Sequence, residues 1–165
     1  MANATLPNAR HPVFQLFTGW LLLMTAGVLA LPLRLFLFIY EDLLPAFSAE
    51  AWSLLTTPGT MAYHPLNRPV LLFELTGNLV LLAAALLLAV LFFQRRRRFP
   101  PLMAGFLTLA LAFYVADYFA AHQLPAVADY PDPDSIRDLI GAFFICAGVI
   151  AYLRRSTRVK ASFVR

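Results

Sequence analysis

The chain has 165 residues, 61% of them hydrophobic and 13% charged, where a soluble domain carries about 25% charged residues. A mean hydropathy of +0.71 points to a protein that lives in a bilayer. The single cysteine, Cys146, excludes an intramolecular disulfide and cysteine-rich zinc sites, and the basic balance (pI ≈ 9.6) is spent on the flanks of apolar stretches rather than on a nucleic-acid surface.

In chain order the apolar stretches predict four transmembrane helices in an all-α fold. The first runs over about 13–40 with Pro32 inside it. It is longer than the roughly 20 residues a bilayer core requires, so it should kink at Pro32 or project beyond the membrane. A signal peptide is the competing reading, and the apolar run through Leu35-Phe36-Leu37-Phe38 argues against it. The second span is about 69–93, opened by Pro69. The third is about 101–122, also entered through proline. The fourth is about 135–153, with Asp134 or Ser135 as N-cap after Tyr130-Pro131-Asp132-Pro133.

Between the first two spans lies a loop of 28 residues, 41–68, in which Ser48 to Leu55 reads as a short interfacial helix closed by Thr57-Pro58-Gly59. Trp52, Tyr63 and His64 suit a membrane surface. A second loop, 124–134, is short and acidic. The whole chain reads as one domain, with a basic tail over 154–165.

Arg95-Arg96-Arg97-Arg98 joins the second and third spans, and four adjacent guanidinium groups resist translocation, so this loop is expected in the cytoplasm. That choice puts Arg10, Arg154, Arg155, Arg158, Lys160 and Arg165 on the same side, with no acid among the flanking segments. All nine acids then fall outside or within the spans. Both termini are expected inside, in a bacterial inner membrane with anionic lipid facing the basic loop and tail.

Ionisable residues inside a span are costly and face other helices or water. Arg34, Glu74, Asp117 and Arg137 all fall toward the outer ends of their spans, and their formal charges cancel. Glu74, Gly77 and Asn78 share a helix face, Tyr114 can join Asp117, and Trp20, Gly27 and Arg34 line one face of the first helix. The simpler reading is an ion-pair network fixing the packing, with Arg34 paired to Glu74 or Asp117. The functional reading is a binding site or a path for a proton or cation. The inner halves of the spans lack acids, bases and histidine, which speaks against a continuous ion path in one subunit.

Ala104, Thr108, Ala112, Ala116 and Ala120 repeat every four residues on the third helix, a small-residue seam that lets helix backbones approach closely. Packing within the bundle is the first reading of it, and contact with another protein or another copy the second. His64 and His122 are lone interfacial histidines and Cys146 a packing residue, so neither a metal nor a cofactor is expected. No nucleophile–base set, phosphate loop or zinc-protease helix is present, and the chain is not expected to be an enzyme.

Three stretches carry a family resemblance. Tyr152 to Phe163, with Arg154-Arg155-Ser156-Thr157-Arg158-Val159-Lys160-Ala161-Ser162-Phe163, resembles the closing Ser-Lys-Arg-Val-Lys-x-Thr-Phe pattern of the domain of unknown function 2569 family. Gly19-Trp20-Leu21 is similar to that family's opening Gly-Gly-Trp-Leu, and Phe73-Glu74-Leu75 followed by Gly77-Asn78 resembles its second span. Thr18, Thr157 and Ser162 depart from the pattern by small exchanges. The resemblance implies four spans in a bacterial inner membrane and carries no catalytic residues. The expected role is a non-enzymatic accessory or scaffold protein that acts on a membrane-protein partner or on itself. The alternative is a small transporter, or a binder of lipid or small molecules, built on the charged cluster.

Overall fold

The computed structural model describes residues 20–128 and 133–156. Every element among them is helical: α1 (Trp20–Phe38), α2 (Ala49–Thr56), α3 (Asn67–Phe93), α4 (Phe99–Ala121), α5 (Pro125–Ala128) and α6 (Pro133–Arg155). Four helical runs, Leu22–Phe47, Asn67–Phe93, Phe99–Ala121 and Asp134–Arg155, are long and apolar enough to cross a bilayer. The part of the first span before Trp20, and Arg10, Arg158, Lys160 and Arg165, lie outside the described residues.

The first span differs most from its sequence reading. It does not end near Tyr40 but continues through a π turn, Ile39–Leu43, and a 3-10 turn, Leu44–Phe47. Nothing breaks the chain there until Pro45, which occupies the first turn of the 3-10 segment, where a missing N–H costs nothing. Pro32 stays within α1 and is buried. The fourth span also starts earlier than expected. Pro133 opens α6, so Asp134 and Ser135 lie in its first turn rather than capping it. There the carboxylate of Asp134 meets the positive end of the helix dipole. The loop before it holds the single turn α5, whose four residues are too few for the periodicity to show.

The interfacial helix is present as α2. Ser48 is its N-cap, extended at ψ 149°, and its Oγ accepts a hydrogen bond from the Ala51 N–H at 3.3 Å. Phe47 stacks on Trp52 at 5.2 Å between ring centroids, the staple that fixes the entry of a helix. Asn67 then ties this loop to the head of α3. Its side-chain amide is buried and donates to the carbonyls of Leu55 and Ala62, both at 2.9 Å.

The arginine loop is a tight turn. Arg95 has φ 53°, its N–H donates to the Phe92 carbonyl at 3.0 Å, and the Arg96 N–H donates to Leu91 at 3.2 Å. These two bonds close α3 on a left-handed residue, the position where glycine is preferred. An arginine there carries a backbone cost of roughly 1–2 kcal/mol. Arg95→Gly is therefore expected to raise stability by about 1 kcal/mol. Thermal unfolding in detergent checks this, and a lowered midpoint would show that Arg95 side-chain contacts outweigh the backbone cost.

The spans pack in the order α1 on α3, α3 on α4, α4 on α6. Val28, Leu81, Ala85, Leu88, Phe92, Phe99, Met103, Phe106, Leu107 and Leu153 form the core. They belong to the half of the spans nearest the arginine loop. Phe92 and Phe99 are its largest fully buried side chains, in edge contact at 5.2 Å across the turn. In the other half, α4 beyond Leu107 and α6 before Leu153 contribute no fully buried residue. Between α4 and α6 the packing loosens toward the acidic end, where Glu41, Asp42, Glu50, Asp134 and Asp138 lie, while Ile39 and Leu43 of the π turn stay buried there.

Candidate functional site

Of the six polar residues expected to meet at the acidic end, the structure brings together three. Glu74 and Asn78 sit one turn apart on α3, and Asn78 is buried, its amide donating to the Glu74 backbone carbonyl at 2.9 Å. That bond stays within its own helix and uses one of the two N–H groups of the amide. Asp117 on α4 faces the same interface, and its carboxyl interacts electrostatically with that of Glu74. Its Oδ1 is buried with no hydrogen-bond partner among the described residues. Two carboxyls in apolar spans, neither in an ion pair among the described residues, are costly to hold.

The contact that sets this spacing lies one turn deeper. Gly77 receives the ring of Phe113, which overlaps the position a Cβ would take. Phe113 in turn packs on Phe73 at 5.1 Å between centroids. Glycine is needed here for close approach rather than for backbone conformation. On the lipid side of this contact is an apolar groove of about 540 Å³, with Leu72, Val80 and Leu109 among its walls.

The other three residues go elsewhere. Arg34 makes no ion pair with Glu74 or Asp117 among the described residues, which corrects the expected network. It lies exposed on α1, in a hollow that also holds Glu41 and Asp42. Glu41 and Asp42, on the π turn that continues its helix, line that hollow without forming an ion pair with Arg34. Arg137 pairs with Asp134 one turn away on α6 at 3.1 Å, and both side chains are well exposed. That local pair leaves Arg137 outside the cluster. Tyr114 is exposed on α4 and forms no hydrogen bond to Asp117. Gly27, on the face of Arg34, meets open space; the side chain of Trp20 lies outside the described residues.

The small-residue seam is only partly used inside the chain. Ala104 is buried and Ala120 half-buried, while Thr108, Ala112 and Ala116 are exposed. The Thr108 hydroxyl donates to the Ala104 carbonyl at 3.0 Å, which leaves the seam without an unsatisfied donor. Packing within the bundle therefore does not account for its central part. His122 bonds the Tyr118 carbonyl at 2.8 Å and packs on the Tyr118 ring, and His64 Nδ1 accepts from the Leu66 N–H at 3.3 Å. Cys146 is half-buried on α6 among the residues packed against the core.

The chain's opening Gly19-Trp20-Leu21, the Glu74 to Asn78 stretch and the closing Tyr152 to Phe163 all fall within one family match. The model of the family DUF2569, described as a protein of unknown function, matches residues 15–164. The chain belongs to that family. No curated protein and no solved structure matches it. Within this DUF2569 chain the match spans all four membrane-type runs, so the helices and the Glu74–Asn78–Asp117 site lie inside the family's region.

Sequence reasoning missed two features. The hollow shared by Arg34, Glu41 and Asp42 was legible as the seven-residue spacing from Arg34 to Glu41, once the first helix is known to continue. The fit of Phe113 onto Gly77 had no signal in the sequence beyond the presence of a glycine in a span.

Proposed function

We propose that this DUF2569 protein is a non-enzymatic accessory protein of a bacterial inner membrane, acting through lateral helix contacts with a membrane-protein partner or a second copy. The observation that carries the reading is the exposed seam of Thr108, Ala112 and Ala116, a smooth strip on α4 that its own helices leave open. Backbones approach closely over such a strip, and close approach is the main source of helix affinity in lipid. The gathering of Arg95 to Arg98, Arg154 and Arg155 at one end supports an orientation with both termini cytoplasmic. There the basic loop and tail meet anionic lipid.

The test is purification of the tagged protein in native nanodiscs, with mass spectrometry of what accompanies it. A stoichiometric partner or a second copy is expected with the natural chain. It should be lost from an Ala112→Leu, Ala116→Leu variant of unchanged helix content. Recovery of the natural chain as a lone monomer would overturn the proposal.

A second reading rests on the Glu74–Asp117 pair, whose buried Oδ1 has no partner among the described residues. It makes the protein a small transporter or a binder of a cationic small molecule. Glu74→Gln and Asp117→Asn should then each abolish uptake or binding while the protein still folds. If both variants instead gain thermal stability and nothing else changes, the pair is only a packing cost.

A further inference from the structure

The hollow at the end of α1 has an order of charges that none of the preceding functions uses. It is lined by the apolar side chains of Leu33, Leu37 and Phe38 and by the charged ones of Arg34, Glu41 and Asp42. Its volume is about 350 Å³, within the ~300–1,000 Å³ range of small-molecule sites. Arg34, Glu41 and Asp42 are all exposed, and among the described residues none of them forms an ion pair. Seven and eight residues from Arg34, the two carboxylates lie beyond the i,i+3 and i,i+4 spacings at which helix ion pairs form. Here the three charges stand around the hollow instead.

Their arrangement along the helix is directional. Seven residues separate Arg34 from Glu41, roughly 10 Å at 1.5 Å per residue. The cation is therefore the deeper group and the acids the shallower. The π turn Ile39–Leu43 widens the helix at this point, and both Glu41 and Asp42 line the hollow. Below Arg34 the exposed surface is apolar, as an acyl chain requires. A long arginine side chain rises toward the headgroup level while its stem stays in hydrocarbon.

Reading from the bilayer core outward, the hollow presents apolar wall, cation, anions. A zwitterionic aminophospholipid presents acyl chain, phosphate, ammonium. We infer that the hollow of Leu33, Arg34, Leu37, Phe38, Glu41 and Asp42 is a binding site for the headgroup of a phospholipid with a primary amine, such as a phosphatidylethanolamine. Arg34 donates to the phosphate, and Glu41 and Asp42 accept from the ammonium N–H groups. Both contacts are charge-assisted and stronger than neutral hydrogen bonds. A quaternary trimethylammonium has no N–H to donate, so the acids discriminate by donor count and not by charge alone.

The experiment is native mass spectrometry of the full chain in detergent, with equimolar short-chain phosphatidylethanolamine, its mono- and dimethyl derivatives, phosphatidylcholine and phosphatidylglycerol. Retention is expected to fall along the methylation series, with the primary amine held about ten-fold better than the trimethyl lipid, the effect of one charge-assisted hydrogen bond. A Glu41→Ala, Asp42→Ala variant, which removes the acceptors, should hold ethanolamine and choline lipids equally, while Arg34→Gln should lose retention of all the phospholipids together. Circular dichroism establishes that each variant folds, and the methylation series on the natural chain needs no variant. Equal retention across the methylation series overturns the proposal. So does preference for phosphatidylglycerol over phosphatidylethanolamine, or a folded double variant that keeps the ethanolamine preference.

Discussion

Gly77→Ala is expected to destabilise the protein by about 1–3 kcal/mol, the usual cost of forcing atoms into a packed contact. The added methyl would overlap the ring of Phe113. The ring can turn toward the apolar groove between α3 and α4, and in doing so it gives up its contact with Phe73. Helix pairs in lipid are held by packing rather than by expulsion of water, so a contact of this kind is a large share of what joins α3 to α4. The diagnostic is a double-mutant cycle. Phe113→Ala removes the obstacle, so Gly77→Ala in that background should cost at least about 1 kcal/mol less than in the natural chain. Unfolding in mixed micelles measures each corner of the cycle. Additive losses would mean that the two helices do not meet at this height.

Phe92→Ala is expected to cost about 2 kcal/mol. Phe92 is 1% exposed and packs edge-on against Phe99, which is fully buried. Loss of a phenyl leaves roughly 100 Å³ empty at ~24 cal/mol per Å³. In a soluble core the same change costs about 3–5 kcal/mol, because the exposed side chain of the unfolded state also meets water. A helix that separates within lipid moves Phe92 from protein to hydrocarbon, so most of the transfer term drops out. The neighbouring Phe93, 46% exposed and turned outward, is the internal control, and its replacement by alanine should change stability little. Equal losses for Phe92→Ala and Phe93→Ala in the same unfolding assay would place the tight end of the bundle elsewhere.

Gly77 and Phe113 lie far apart in sequence, and it is at contacts of that kind that sequence reading stops. Span positions were legible because a bilayer imposes a length and an apolar composition that a single stretch must meet by itself. The cap of α2 was legible for a similar reason, since Ser48 and the Phe47–Trp52 staple act over five residues. The end of the first span was not. Glu41 and Asp42 look like a loop to any count of apolar residues, and only their place in a widened turn makes them part of the helix.

The polar residues divide along the same line. Glu74, Asn78 and Asp117 were singled out by their cost in a membrane, and the structure gathers them. Arg34 and Arg137 were counted with them because charges in one layer of a membrane are expected to neutralise one another. Neither joins them: Arg137 bonds Asp134 on its own helix, and Arg34 lines a hollow with Glu41 and Asp42 without pairing to either.

What the sequence by itself determined is a helical chain with four membrane-type runs, membership of the DUF2569 family, and the identity of the costly residues. Those follow from local composition and from motifs, which need no knowledge of neighbours. Only the tertiary structure decided which helix touches which, that the packing between α4 and α6 loosens toward the acidic end, and that the seam of α4 is exposed. In lipid every apolar face is equally at ease against a helix or against an acyl chain. Hydropathy therefore cannot choose partners, and shape, as in the ring of Phe113 against Gly77, makes the choice.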